Sequence, residues 1–214
     1  MYVPPHFQEI SKDEIEAVID SAPLACIVAQ TDNGLIANHI PLLKGPDDTL
    51  IGHVALANDM HRLVADDQEV LTIFRGDDAY VSPNFYPSKA EHHRHVPTWN
   101  YQVVHIYGRI AFQHDAQAKR AAVGLLTRHH ERRLNGPRAW RMADAPAGYM
   151  EQMLGDIVAF IAVSGGNQTD RADQTDQTEK TLVAPEATPG DPLSIRAVTA
   201  VPTVLDAGTP LALP

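Results

Sequence analysis

Apolar and polar side chains alternate along most of the first 160 residues of this chain, the pattern of β-strands that turn one face to a core. The pattern predicts strands at residues 24–30, 35–43, 49–57, 69–75, 79–82, 99–113 and 157–160. Asp32-Asn33-Gly34 has the composition of a tight turn, and Gly76-Asp77-Asp78 is expected to break a strand. So few hairpin-linked strands cannot form two packed sheets of ordinary size, but they can close into a small barrel.

Helical patterns lie between these strands. Ser11-Lys12-Asp13-Glu14 has the spacing of a capping box and predicts a helix over residues 11–20. Asp115 is the expected N-cap of a longer helix over residues 115–134, which Asn135-Gly136-Pro137 ends. Shorter helices are expected at residues 58–64 and 147–154. The predicted fold class is therefore mainly β with added helices.

The longest predicted strand, residues 99–113, has two faces, and neither has the residue composition expected of a face exposed to solvent. One face carries Ile106, Gly108, Ile110 and Phe112, and the other carries Tyr101, Val103, His105, Tyr107 and Arg109. A strand face turned to water usually shows Lys, Glu and Thr, whereas Tyr, Val and His in alternation indicate burial against another surface. We therefore expect a homodimer interface on the second face.

The composition changes from Ile161 onward. No aromatic residue occurs there, Pro and Thr are frequent, and Gln-Thr-Asp appears at residues 168–170 and again at 174–176. Such a segment buries too little apolar surface to offset the entropy of ordering it. We predict a folded domain over residues 1–163 and a mobile, low-complexity tail over residues 164–214.

Charge and cysteine content narrow the class of protein. The 214 residues include 17 Lys and Arg against 27 Asp and Glu, a net charge of −10, which disfavours a nucleic-acid partner. Cys26 is the single cysteine, so no disulfide forms within the chain, as expected in a reducing cytoplasm. No run of about 18 uncharged apolar residues and no basic, apolar leader occurs. We expect a cytoplasmic protein without a membrane partner.

The 11 histidines raise the question of a metal site. Three of them fall in Glu91-His92-His93-Arg94-His95, but Arg94 lies among them and no His-Glu-x-x-His motif is present. We interpret this segment as a solvated loop and predict no metal site. Hydrolase, P-loop and dinucleotide-binding motifs are also missing, so no catalytic residue is predicted.

His39 and His53 differ from the other histidines because each lies inside an apolar strand. Either one can be a structural histidine with its hydrogen bonds satisfied. A binding role is favoured by the small or polar residues at strand ends and in the adjoining loop: Asn38, Asn58, Ser82, Lys89, Thr98 and Asn100.

Four ordered sequence blocks resemble one known family. The blocks are His39-Ile40-Pro41-Leu42-Leu43, Gly52-His53-Val54-Ala55-Leu56-Ala57-Asn58, Phe74-Arg75-Gly76 through Ala79-Tyr80-Val81-Ser82-Pro83, and Val96-Pro97-Thr98-Trp99-Asn100-Tyr101. They resemble the PaiB family of FMN-binding negative transcriptional regulators. The resemblance implies a split β-barrel of the pyridoxamine-phosphate-oxidase-like type and a homodimer that binds FMN between its subunits. It also implies a role in repressing genes for protease production and sporulation.

An FMN site needs two kinds of surface, and the motif blocks supply candidates for both. The phosphate requires hydrogen-bond donors and a cation, for which the candidates are Asn38, His39, Ser82 and Lys89. The flavin ring requires a flat apolar wall and polar groups at its edge, for which the candidates are Trp99, Tyr80, Asn100, His53 and Asn58.

The chain departs from the family pattern after Phe160, where the family continues with a basic segment and residues 161–214 do not. No helix-turn-helix pattern is visible, so we expect regulation to act through a partner or a metabolite rather than by direct DNA binding. Two alternatives stay open at this point. One is a flavin-dependent oxidoreductase that uses NAD(P)H. The other is a haem-binding split-barrel protein.

Overall fold

The structure is a computed structural model that describes residues 3–164 and the strand at residues 195–200. Its strands are β1 (Gln8–Glu9), β2 (Leu24–Thr31), β3 (Gly34–Pro41), β4 (Leu43–Lys44), β5 (Thr49–Ala55), β6 (Gln68–Val81), β7 (Thr98–Gln113), β8 (Ile157–Ser164) and β9 (Ile195–Ala200). Its α-helices are α1 (Lys12–Ser21), α2 (Met60–Leu63), α3 (Lys89–His92), α4 (Ala116–Asn135) and α5 (Ala147–Gly155). The predicted class, mainly β with added helices, is confirmed.

The strands form one antiparallel sheet in the order β3-β2-β6-β7-β8-β5-β4. Strand β7 joins the two halves of this sheet. It pairs with β6 from Thr98 to Ile110, and along its other edge residues 108–113 pair with β8 while residues 101–106 pair with β9. Strand β3, at one end of the order, approaches β5 near the other end, so the sheet curls toward a closed barrel.

The core fills the inside of this curled sheet. Phe74 and Phe160, on β6 and β8, are fully buried there, and α1 adds Val18 and Ile19 from one end. Helix α4 packs against β4, β5 and β8, and it buries Ala122 and Leu126, which lie outside the core cluster. Alternation along β5 turns Leu50, Gly52 and Val54 to the core and leaves the other face of the strand for α4.

The face of β2, β6 and β7 that points away from the core is only half buried in the single chain. We call this surface the outer face; it consists of Cys26, Val28, Leu71, Ile73, Val103, His105 and Tyr107. The register aligns its members across the strands, with Val28 opposite Leu71 and Leu71 opposite Tyr107. The predicted division of β7 into two apolar faces is therefore confirmed.

The structure corrects three local expectations. Ser11 caps α1 through its Oγ, which accepts from the Glu14 N–H at 3.4 Å, but the Ser11 N–H donates to Glu9 rather than back to Glu14. The expected break at Gly76-Asp77-Asp78 is a β-bulge inside a continuous β6. Residues 89–92 form the short helix α3 within a segment expected to be a loop.

The predicted tail is described only in part. Strand β8 continues to Ser164, and residues 195–200 form β9, which pairs with β7 and β1. Residues 165–194 and 201–214 lie outside the described residues, so for them the mobile tail stays a prediction. Within residues 3–164, no helix combines the length and apolar character needed to cross a membrane.

Candidate functional site

Tyr80 and Trp99 form an aromatic pair near the end of the β6–β7 hairpin. They lie directly opposite each other in the strand register, and their ring centroids are 5.9 Å apart with a tilt of 58°. The side chains are 52% and 55% exposed. Because exposing two large rings side by side leaves much apolar area in water, this pair has the character of a wall for a flat ligand.

A hydrogen-bonded chain holds the Trp99 ring in place. The indole Nε1–H donates to Asp78 Oδ1 at 2.8 Å, and the Arg75 guanidinium donates to Asp78 Oδ2 at 2.6 Å. Asp78 reaches this position because the β-bulge inserts Gly76 and Asp77 between it and Arg75. Sequence reasoning missed both Asp78 and Arg75, and the signal that could have identified them was Gly76-Asp77-Asp78, read only as a break.

Asn100 follows Trp99 and points to the opposite side of β7. It is 9% exposed, and its Oδ1 is buried with no hydrogen-bond partner among the described residues. An unpaired buried polar group costs about 1–3 kcal/mol. Because Asn100 faces away from the exposed rings of Tyr80 and Trp99, its oxygen does not adjoin the aromatic pair.

Ser82 and Lys89 lie in the loop that joins β6 to β7. The Ser82 Oγ accepts from the Asn84 N–H at 3.2 Å and caps a short 3-10 turn, Pro83–Phe85. Lys89 donates to the Asn84 Oδ1. The Ser82 oxygen is thus engaged with its own backbone, whereas Lys89 carries a positive charge on the connection between Tyr80 and Trp99.

Asn38 and Asn58 form a second group, on β3 and in the turn after β5. The Asn58 Nδ2 donates to the Asn38 Oδ1 at 2.9 Å, and the Asn58 Oδ1 accepts from the Met60 N–H at 2.9 Å. These bonds tie β3 to the segment after β5, where the two ends of the sheet approach each other without a strand ladder.

His39 and His53 belong to neither group. Alternation puts His39 on the face of β3 opposite Asn38, where it is exposed and lies beside Cys26 of the outer face. His53 is half buried on the face of β5 opposite Gly52, its Nδ1 has no hydrogen-bond partner among the described residues, and burial lowers its pKa. The predicted site residues therefore fall into four places in a single chain.

The histidine-rich loop is ordered by its own contacts. The His95 ring stacks on Tyr86 with centroids 4.7 Å apart and a tilt of 7°, and its Nε2 lies 2.9 Å from the Ser88 Oγ. His92 lies 4.9 Å from His95, ring to ring. Across the part of the chain that the structure describes, His, Cys, Asp and Glu side chains form no group of three or more that could hold a metal ion.

The fold places the chain in the class of split β-barrels. The chain belongs to the family described as "Putative FMN-binding domain", which matches residues 1–163. This assignment confirms the family resemblance found in the four sequence blocks.

Two relatives show the extent of the likeness. The Bacillus subtilis protein named protease synthase and sporulation protein PAI 2 is 30% identical over 143 residues, covering 65% of this chain and 66% of the relative. An uncharacterized protein of Aspergillus fumigatus is 30% identical over 174 residues, covering 72% of this chain and 66% of that protein. The matches thus span about two thirds of the length of these relatives.

Solved structures show the same fold at low sequence identity. The FAD and haem binding protein of Mycobacterium smegmatis has a TM-score of 0.52 at 18% identity and covers 87% of this chain and 93% of its own. The flavocytochrome Anf3 of Azotobacter vinelandii has a TM-score of 0.51 at 14% identity, with 89% of each chain covered. The fold of this chain is the split β-barrel, as the sequence predicted.

Proposed function

We propose that this protein binds FMN, with the rings of Tyr80 and Trp99 forming one wall of the flavin site. The observation that carries the proposal is the half-exposed aromatic pair, which the register of β6 and β7 places side by side. The family assignment supports a flavin nucleotide as the ligand.

The groups on the β6–β7 hairpin suit the parts of this ligand. The flavin ring needs a flat apolar surface, which the aromatic pair can supply. The predicted candidate for its polar edge, Asn100, faces the other side of β7 and does not adjoin this wall. The phosphate needs a cation, for which Lys89 and Arg75 are the candidates on this hairpin. When bound, the flavin supplies redox chemistry, whereas these side chains bind it, orient it and shield one ring face from water.

The proposal includes a homodimer formed through the outer face. Half-buried side chains such as Leu71 and Tyr107 are apolar enough to be covered by a second copy. His39 borders this face because it lies opposite Cys26, so dimer formation brings it to the interface. In a single chain, the aromatic pair lies apart from the other predicted site residues, which are His39, Asn38, His53 and Asn58. A site built between two subunits can combine both sets.

The proposed cellular role is repression of gene expression in the cytoplasm by an indirect route. The resemblance of the four sequence blocks to a family of negative transcriptional regulators supports regulation, and the net charge of −10 favours action through a partner or metabolite over direct contact with DNA.

Titration of the purified chain with FMN tests the flavin proposal. We expect a shifted flavin spectrum, quenched flavin fluorescence and a dimer on sizing chromatography. Riboflavin, which lacks the phosphate, should bind more weakly. If FMN shows no spectral shift and no quenching on mixing with the protein, the proposal is contradicted.

Two further ligands separate the alternatives in the same experiment. A Soret band on adding haemin, with no response to FMN, would favour haem binding. Steady NADH or NADPH consumption that requires added FMN would favour an oxidoreductase.

A further inference from the structure

The second half of α4 and strand β4 enclose a cleft that the flavin site does not use. Its volume is about 320 Å³. We call it the α4 cleft; its walls are Leu43, Leu125, Arg128, His129, Arg132 and Arg133. Two leucines and four nitrogen-rich side chains therefore line one concave surface, with no acidic residue among them.

The positive charge in the α4 cleft is not neutralised by the protein. Helix α4 has a single acidic residue, Glu131, whose Oε2 accepts from the Asn135 side chain at 2.8 Å and from the Trp140 N–H at 3.0 Å. The Arg133 guanidinium donates to a backbone carbonyl, that of Asp20. Among the ion pairs of the described residues, none involves an arginine of the cleft.

Stabilisation of the helix end accounts for only part of this arrangement. Arg132 and Arg133 lie in the last turn of α4, where cations complement the helix C-terminus, but Arg128 lies about two turns before Asn135, where α4 ends. Positions 128 and 132 are four apart and lie on one face, so the like charges of these two arginines repel. Burial lowers the pKa of His130, and the nearby Arg133 is a smaller cause of the same shift.

We propose that the α4 cleft binds a small phosphorylated molecule that carries an apolar group. Guanidinium groups donate paired hydrogen bonds to phosphate oxygens, which a cluster of three arginines favours over a single carboxylate. Leu43 and Leu125 provide the surface for the apolar part. The cleft has the size of the smaller ligand pockets, and it lies on α4 and β4 rather than on the β6–β7 hairpin.

Phenyl phosphate is a suitable probe because it combines a phosphate with one apolar ring. In isothermal titration of the full chain, we expect saturable binding that weakens at least tenfold in Arg128→Gln and in Arg132→Gln. Arg120→Gln is the matched control, since Arg120 lies on the same helix, is exposed and does not line the cleft. Thermal melts of all three variants should match that of the parent chain.

Inorganic phosphate and phenol distinguish the contribution of the arginines in the cleft from that of the leucines. Leu125→Ala should weaken phenyl phosphate and leave inorganic phosphate unchanged, whereas phenol alone should not bind. Absence of saturable binding, or an equal loss in Arg120→Gln, would overturn the proposal.

A titration in the presence of saturating FMN separates this site from the flavin site. Unchanged phenyl phosphate binding supports a second, independent site. Displacement by FMN, with the same dependence on Arg132, would assign the cleft to the flavin and overturn the proposal. If the chain binds no FMN at all, the comparison of the arginine variants with Arg120→Gln still tests whether the α4 cleft binds phenyl phosphate.

Discussion

Trp99 combines two properties that rarely occur together in a side chain of its size. More than half of its surface is exposed, yet its indole nitrogen is fixed by Asp78, which Arg75 holds in turn. A ring kept rigid before a ligand arrives loses little entropy on binding. The energetic role of Trp99 is therefore expected to appear in ligand binding rather than in folding.

Replacing Trp99 with alanine should weaken FMN binding about tenfold, since stacking of a flat base on an aromatic side chain contributes about 1–3 kcal/mol. The loss of folding stability should stay well below the cost of about 3–5 kcal/mol for a buried tryptophan. Flavin fluorescence titration and thermal melting measure the two effects. Trp140→Ala is the control, because Trp140 is 41% exposed and lies outside the hairpin. A similar loss of affinity in that variant would contradict the assignment.

Asp78 should act on the flavin only through the orientation of Trp99. Asp78→Ala removes the acceptor of the indole N–H and should weaken FMN binding several-fold. Asp78→Asn keeps an acceptor oxygen and should restore most of the affinity. Equal losses in both variants would indicate that the charge, rather than the hydrogen bond, is what matters.

His53 links folding to pH. Burial lowers its pKa below the ordinary value of about 6.5, so the unfolded chain takes up the proton first as the pH falls. The free energy of unfolding should therefore be highest above about pH 6.5 and decrease as the pH drops toward the lowered pKa. In urea titrations at several pH values, His53→Gln should reduce this decrease. His93→Gln, at an exposed loop position, should not change it.

The placement of individual side chains could be predicted from the sequence only where chemistry and position coincide, and their roles in binding stay predictions. Tyr80 and Trp99 were identified by aromatic character within a motif block, and the structure pairs them. Asn38 and His39 are neighbours in sequence, but strand alternation turns them to opposite faces. Asp78, which accepts the hydrogen bond of the Trp99 indole, was not predicted. A β-bulge, rather than the regular alternation of the strand, brings its carboxylate to the indole.

At the scale of elements, alternation identified the main strands because one face of each is buried in a shared core. Alternation did not predict that β6 continues through a β-bulge, because the bulge interrupts the period of two. It also did not predict α3, because a helix of four residues is too short to show a helical period. Strand β9 was not predicted, since it lies within a polar segment that the composition assigned to a tail.

Strand β5 depends on a glycine where it crosses the core. A Cβ at position 52 would lie 2.5 Å from the Phe160 ring and 2.6 Å from a Leu42 methyl group. Gly52→Ala should therefore cost about 1–3 kcal/mol of stability in urea unfolding. Gly148→Ala is the matched control, because a Cβ in that part of α5 meets nothing within 4 Å and should stabilise the helix by about 0.5–1 kcal/mol. A neutral Gly52→Ala would show that the core shifts to accept the methyl group.

For the whole molecule, the proposed homodimer rests on the outer face. Leu71 lies at its centre, between Val28 and Tyr107. A lysine there places a charge where a second copy would pack, so Leu71→Lys should convert a dimer to a monomer of about 23.4 kDa on sizing chromatography. Ala121→Lys, at an exposed position of α4, should leave the dimer intact. A parent chain that elutes as a monomer would contradict the proposed interface.

The length of the β6–β7 hairpin has a consequence for how proteins of this kind diverge. Its last rungs, Tyr80 with Trp99 and Val81 with Thr98, pin both ends of the connection at residues 82–97. That connection can accept insertions, deletions or a grafted sequence without altering the register of the barrel behind it. Ser82 and Lys89 lie on this connection, whereas Tyr80 and Trp99 lie on the rungs that hold the register. Selection can therefore change the polar part of the proposed site while its aromatic wall stays constant.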